Sequence, residues 1–518
     1  MWKIRSSVLA AAFLTAAPLH AETPGAAPLS AIDWLSKSVA GASSRPLPPA
    51  TRIEPPVAAG VSRSPISISP IDGPTLDGLG LLPQSKTGLP RGLWGTTASD
   101  DLARLIRAER VDTLPAIQSL LYTLLLAELA PPADSDGSGA LFLARVDKLL
   151  DLGALDPALA LLELVEDPKA EAFRRWFDVA LLIGQEDRAC VKMRETPEIA
   201  PTFPARVFCL ARGGDWNAAA LSLRTGETLG YVDTATAALL ERFLDPELFE
   251  GEPPLPVPPR PSPLVLRLME AIGQPLATTT LPVAFAQADL RSNAGWKTRL
   301  EAGERLARTG AIEPNRLLGL YTERKAAASG GVWERVDLIQ GLDAAITAHD
   351  AARTAEILPE AWAQMSAIEL EVPFAVLYGR ALSGARLEGE AGMLAFRIGL
   401  LSGDFERVAE TRSPADDTEA FLIGLATGRA AGESPSDQMG AAVQAGFEPG
   451  KAPAAKYATL LDENRTGEAL LAAVDDITEG ARGELRDVTE ALVLLRHLGH
   501  ETVARRAALE LVLLERRG

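Results

Sequence analysis

Glycines that separate two helical segments recur along this chain, and they constrain its fold more than any other feature. In the stretch CLARGGDWNAAALSL (209–223), an apolar segment ends at a glycine pair and an acidic residue opens the next segment. Glycine adopts the left-handed conformation that ends a helix at low steric cost, and a polar residue after it favours a new helix. The same pattern surrounds six glycines: Gly153, Gly184, Gly214, Gly310, Gly403 and Gly499.

The spacing of these glycines predicts a repeat. The first three are 31 and 30 residues apart, and the last three are 93 and 96 apart, each near three such periods. A period in the thirties is typical of stacked helical hairpins. Ala, Leu, Arg and Glu dominate from Ser99 onward, and no convincing sheet can be drawn. We therefore predict an all-α, tetratricopeptide-like helical-hairpin solenoid. The alternative is a non-repetitive helical bundle with ordinary glycine caps.

The first 21 residues have the layout of a secretory signal peptide. Lys3 and Arg5 precede an apolar run over 8–17, and the segment ends at Ala21. That run is shorter than the roughly 20 residues that a membrane span requires. The most apolar later segment, 116–129, also predicts a buried helix rather than a transmembrane segment. We expect export to a bacterial periplasm and cleavage after residue 21.

The charge of the mature chain argues against nucleic-acid partners. Without Lys3 and Arg5, 49 of the 51 basic residues remain against 69 acidic ones, a formal charge of −20. A protein with this net negative charge is repelled by the phosphates of nucleic acids and by anionic lipid surfaces.

Residues 22–95 are rich in Pro, Ser, Gly and Ala, which predicts an extended N-terminal arm. Within it, Ile32 and Leu35 share one helical face while Trp34 points elsewhere, and Ile66 and Ile68 alternate with serines. These five residues are candidate docking residues. They could dock either on the body of the same chain or on a partner.

Seven prolines between 253 and 263 interrupt the helical pattern, because proline cannot continue a helix. This run could be a spacer or a ligand for an aromatic-lined groove. It divides the sequence into a signal peptide (1–21), the arm (22–95), an N-terminal helical-repeat domain (96–250), a linker (251–263) and a C-terminal helical-repeat domain (264–518).

Cys190 and Cys209 are the only two cysteines. An even number in an exported chain favours a disulfide, and their separation suits two neighbouring antiparallel helices. Two buried thiols are the alternative. A redox pair is disfavoured, because the sequence has no C-x-x-C motif.

Motifs for enzymatic or metal chemistry are incomplete. The stretch DSDGSGALFLAR begins like a calcium loop at Asp134, but Arg145 occupies the twelfth position, where a glutamate is needed. His497 and His500 flank a glycine without the further ligands of a zinc site. Glu433-Ser434 is similar to the catalytic pair of lytic transglycosylases, but Pro435 follows it directly. We therefore expect no catalytic residue, no metal and no cofactor.

Three long segments resemble a family of exported bacterial proteins that is labelled antifreeze-glycopeptide-related. They are SPIDGPTLDGLGLLP, GLWGTTASDDLARLIRAERVDTLPAIQSLLYTLLLAEL and ALFLARVDKLLDLGALDPALALLE. The resemblance extends over most of the mature chain and implies no catalytic residue.

From these features we expect a non-enzymatic scaffold or adaptor that binds protein partners in the cell envelope. One alternative is a peptidoglycan-active enzyme of the lytic-transglycosylase type. The other is an accessory factor of a flagellar or secretion machine.

Overall fold

The structure is a computed structural model, and it describes residues 75–430, 435 and 437–514. This part of the chain forms 25 α-helices and three short 3-10 helices (Leu76–Gly78, Pro197–Ile199 and Val283–Phe285), with no β-strand. The prediction of an all-α protein is confirmed. None of the described helices has both the length and the hydropathy that a membrane span requires.

The helices before the proline-rich run are separated by short turns and loops. They are α1 (Gln84–Thr87), α2 (Ser99–Ala108), α3 (Pro115–Leu126), α4 (Ala140–Asp151), α5 (Leu155–Glu163), α6 (Ala170–Ile183), α7 (Glu186–Glu195), α8 (Phe203–Arg212), α9 (Trp216–Thr228) and α10 (Thr234–Leu244).

The helices after this run are also separated by turns and loops. They are α11 (Pro263–Ala271), α12 (Ala286–Asp289), α13 (Trp296–Arg308), α14 (Pro314–Thr322), α15 (Val332–Thr347), α16 (Ala351–Ser366), α17 (Glu371–Gly384), α18 (Gly389–Leu400), α19 (Phe405–Thr411), α20 (Asp417–Thr427), α21 (Gln438–Gly446), α22 (Ala455–Asp462), α23 (Thr466–Gly480), α24 (Leu485–His497) and α25 (Glu501–Leu513).

All six glycines of the sequence pattern lie between two successive helices, and all except Gly403 have a positive φ. Gly153, between α4 and α5, has φ +78°, and an added Cβ would lie 2.7 Å from Cγ1 of Val283 and 2.9 Å from Cδ2 of Leu306. Glycine is therefore needed here both for the turn and for the close approach of α13.

Helix α4 is surrounded by other elements, although it carries four charged residues. The side chains of Arg145, Asp147, Lys148 and Asp151 are all buried. The Arg145 guanidinium donates hydrogen bonds to the carbonyl oxygens of Leu125 (2.8 Å), Ala127 (2.8 Å) and Leu79 (2.7 Å). It thus joins α4 to the end of α3 and to the segment before α1.

The next two charged residues join α4 to α2 and α6. Lys148 Nζ donates to the carbonyl oxygens of Arg107 (3.0 Å) and Glu109 (2.7 Å), at the end of α2. The Asp147 carboxylate accepts a 2.9 Å hydrogen bond from Arg175 Nη2, on α6. Because buried charges are costly unless they are paired, this pairing fixes which elements can surround α4.

Helices from the two ends of the described chain pack against each other. Ala116 N, in α3, donates to Glu510 Oε2 of α25 (2.8 Å), and the hydroxyls of Thr113 and Thr478 are 2.6 Å apart.

Trp94 is buried against Gly467, so the last residues of the segment that we expect to be an arm are part of the folded body.

Three hydrophobic clusters fill the described structure. The first contains residues of α2 to α6 and of α18 to α25, from both sides of the proline-rich run. The second lies among α6 to α11. The third is formed by α12 to α18 together with Leu514. The lobe of α6 to α11 thus has a core of its own.

We predict that Arg145→Met lowers the free energy of unfolding by about 3 kcal/mol, because it leaves several buried carbonyl oxygens without a donor. Urea unfolding followed by circular dichroism measures this change. Arg104→Met is the control, because the side chain of Arg104 is 68% exposed, and it should change stability by less than about 0.5 kcal/mol. Equal effects of the two substitutions would contradict the role given to Arg145.

Candidate functional site

The two cysteines lie on neighbouring helices. Cys190 on α7 and Cys209 on α8 are both buried, and their sulfur atoms are bonded across a Cα–Cα distance of 4.9 Å. The link holds α7 against α8 within the core of the α6–α11 lobe.

Two groups of candidate residues from the sequence lie outside the described part of the chain. These are the docking candidates Ile32, Trp34, Leu35, Ile66 and Ile68. The same holds for the Glu433-Ser434 pair of the enzyme hypothesis.

The stretch that resembles a calcium loop has a structural role. The Asp134 carboxylate accepts hydrogen bonds from Ser99 N (2.9 Å) and Ser99 Oγ (2.8 Å) at the start of α2. Asp136 accepts from Ser138 N, and this hydrogen bonding lowers the pKa of Asp136. At the twelfth position, the guanidinium of Arg145 donates hydrogen bonds to backbone carbonyl oxygens. These residues serve the packing of α2 and α4.

The histidines are not grouped with other metal ligands. Burial lowers the pKa of His500, and His497 lines a cavity of about 180 Å³ together with Lys451 and Arg496. Glu448 also lines this cavity, and its carboxylate is paired with Lys451 (3.3 Å), so the cavity offers one imidazole and one engaged carboxylate. In residues 75–430 and 437–514 no group of three or more His, Cys, Asp or Glu side chains could hold a metal ion. That the protein binds no metal stays a prediction.

A cavity of about 550 Å³ lies between α11, the loop after it, and α13. The Glu270 carboxylate on its wall accepts hydrogen bonds from Arg291 (2.7 Å) and Asn293 (2.6 Å). Partial burial opposes ionisation of Glu270, but these bonds and the charges of Arg291 and Arg267 hold its pKa below the usual value. Asp289, whose pKa is raised by burial, accepts from Thr278. These polar groups bond one another, and none forms the nucleophile–base pair of an active site.

Asp178 on α6 is a buried carboxylate without a hydrogen-bond partner among the described residues. Burial raises its pKa from 3.8 to about 7, against the opposing charges of Arg174 and Arg175. A group of this kind can mark a reaction centre. Asp178 lines neither the cavity beside α11 nor the one beside His497, and we assign it to the core of α6.

The exposed apolar residues are concentrated in one stretch of the chain. Ten large hydrophobic residues are exposed in the described chain, and six of them lie between 216 and 257. We call these six residues the α9–α10 surface: Trp216, Leu221, Leu229, Tyr231, Leu248 and Val257.

Aromatic contacts connect this surface to α8 and α10. Trp216, the first residue of α9, lies 6.3 Å from the ring of Phe243 on α10, and Tyr231 stacks on Phe203 at 5.2 Å. The neighbouring Arg242 donates to the carbonyl oxygen of Pro253 (2.8 Å). The surface thus continues from α9 across the end of α10 to the proline-rich run.

We did not predict this surface from the sequence. In WNAAALSL, the start of α9, Ala219 and Leu223 are buried whereas Trp216, Ala220 and Leu221 are exposed. More apolar positions occur here than one helical face can bury, and that excess is the signal that could have revealed it.

Comparison of the chain with protein-family models, with curated proteins and with solved structures finds no match. The resemblance to the exported family therefore stays a prediction.

Reduction of the disulfide should destabilise the protein by about 3 kcal/mol, the value expected for a loop of this size in the chain-entropy model. Chemical unfolding with and without reductant measures the difference. The reductant acts at this pair alone, because the chain has no other cysteine. Free thiols in the oxidised folded protein, together with an unchanged unfolding curve, would contradict the assignment.

Replacement of Asp178 by Asn should change how stability depends on pH. The pKa of Asp178 is higher in the folded chain than in the unfolded chain, so ionisation of this carboxyl destabilises the fold. The free energy of unfolding is therefore unaffected by Asp178 below about pH 3.8 and falls as the pH rises to about 7. Asp178→Asn should therefore be more stable than the wild type by about 2 kcal/mol near pH 8, and equal to it near pH 4. The control is Asp167→Asn at an exposed position, which should show no such difference. A difference that is independent of pH would contradict the prediction.

Proposed function

We propose that the protein is a non-enzymatic scaffold or adaptor that binds protein partners in the bacterial cell envelope. The α9–α10 surface is the observation that carries this proposal. Scattered apolar residues are normal on a protein surface, but a local concentration of them marks an interaction site.

The chemistry of this surface suits a protein partner. Trp216 is 50% exposed and Tyr231 is 41% exposed, and aromatic residues of this kind supply much of the binding energy at protein interfaces. Leu221 and Leu248 are 68% and 71% exposed and add aliphatic area in the same stretch of the chain. Charged residues such as Arg224 and Glu227 are also exposed on α9, as expected for a polar rim.

A rigid support favours recognition, because an ordered surface loses less entropy on binding. The disulfide fixes α7 to α8, and α8 packs directly against α9. In the proposed account, the helical hairpins form a tetratricopeptide-like stack that presents α9 and α10 at its edge. A disulfide in a chain with a predicted signal peptide also favours a periplasmic location.

The proposal is tested by site-specific photocrosslinking in intact cells. With p-benzoylphenylalanine at Leu221, we expect a covalent adduct with a second envelope protein. Trp216→Asp should lower the adduct yield about tenfold, because it removes an aromatic anchor while the fold is retained. Thermal unfolding of the variant checks that the fold is retained.

The matched control places the same crosslinker at Val376 on α17, an apolar residue that is 50% exposed outside this surface. No adduct at 221, or equal adducts at 221 and 376, would contradict the proposal.

A further inference from the structure

The proline-rich run follows the surface of the α6–α11 lobe. We call residues 253–260 the proline strap. The chain between 252 and 258 has no turn or bend, as expected where prolines fix φ near −65°. Polyproline II geometry has three residues per turn, so its side chains form three edges.

The burial of the strap repeats with this period of three. Leu255 and Pro258 are half-buried and Pro261 is buried, so one edge faces the body of the protein. The other two edges are exposed along the unbent stretch: Pro253 and Pro256 on one edge, and Pro254 and Val257 on the other. Pro259 and Arg260, at the bend that follows, are exposed as well. The strap therefore presents a P-x-x-P edge to solvent.

The strap is attached to α10 and to the loop after α11, and α11 begins shortly after it. Arg242 of α10 donates to the carbonyl oxygen of Pro253 (2.8 Å), and Leu255 N donates to Gln274 Oε1 (2.9 Å). At the other end, Ser262 caps α11 by accepting from Val265 N (3.1 Å). These attachments hold the exposed edges in one conformation, as a preorganised ligand requires.

The strap leaves hydrogen-bond acceptors unused. Among the described residues, no donor reaches the carbonyl oxygens of Pro254, Pro256, Val257 or Pro258. Prolines supply no backbone N–H, so a protein partner would have to provide donors. Tyrosine hydroxyls and tryptophan indole N–H groups on a ring-lined surface are donors of this kind.

We propose that the proline strap is the ligand for an aromatic-lined groove on the partner of the α9–α10 surface. The proposal rests on the proposed scaffold function and names the chemistry of its partner. Tyr or Trp rings pack between the exposed prolines, and their polar atoms donate to the free carbonyls.

Charge gives the strap a direction. Glu252 is exposed before it and Arg260 is exposed at its end, where Arg260 has no ion pair with a described residue. The groove of the partner should therefore carry an acidic side chain at the end that meets Arg260.

Photocrosslinking at Val257 in the full-length exported protein tests this inference. Val257 is 70% exposed, and p-benzoylphenylalanine at this position should form an adduct with the same envelope protein as position 221. Peptide mapping should place the adduct among Tyr or Trp residues of that protein. The double substitution Pro256→Ala/Pro259→Ala should lower the yield about tenfold, because it removes two ring contacts and the fixed φ angles.

The matched control is Pro414→Ala, at an exposed proline in the loop between α19 and α20, which should leave the yield unchanged. An adduct at 257 with residues 22–74 of the same chain or with a second copy would overturn the inference. So would an adduct that is insensitive to the double substitution or that maps to a surface without aromatic residues.

The two proposals fail separately. An adduct at 221 without one at 257 would overturn the strap as a ligand and leave the scaffold function standing. Absence of both adducts would overturn both.

Discussion

The rest of the structure depends on the pairing of the buried charges on α4. Arg145, Asp147 and Lys148 cannot reach water, so each must find a partner inside the protein. Those partners are the segment before α1, the end of α3, the end of α2 and Arg175 on α6. Four separate pieces of chain are thereby held around one helix. Apolar packing alone would bury α4, but it would not determine which carbonyls and carboxylates lie beside it.

This arrangement decides where the protein can interact with others. Helices α2 and α3 are covered by α4 on one side and by α23 and α25 on the other. The lobe of α6 to α11 extends from this centre with its own hydrophobic cluster, and α9 lies at its edge. The apolar residues that remain exposed are concentrated there, together with the prolines between α10 and α11. Interaction through this lobe would leave the packing around α4 unchanged.

Local features of the fold could be predicted from the sequence, and distant contacts could not. The turn at Gly184 or Gly499 depends on one residue's backbone conformation, so the pattern of leucine, glycine and acidic residue predicts it. The contact between Ala116 and Glu510 joins residues almost 400 positions apart, and periodicity gives no information about such pairs. The excess of apolar positions at the start of α9 is a local signal of an exposed surface, but it does not show which of these residues a neighbouring helix covers. The role of Arg145 could not be predicted from the sequence, because the carbonyl oxygens that it binds belong to other segments, such as the end of α3.

Hydrogen–deuterium exchange of the full chain, alone and in its isolated envelope complex, tests the central claim most directly. In the free protein, the amides of α4 should exchange slowest, and those of α9 and of residues 245–252 should exchange fast. In the complex, added protection should be confined to residues 216–257, with α4 unchanged. Fast exchange of α4 in the free protein, or new protection that lies mainly outside the α6–α11 lobe, would contradict the account.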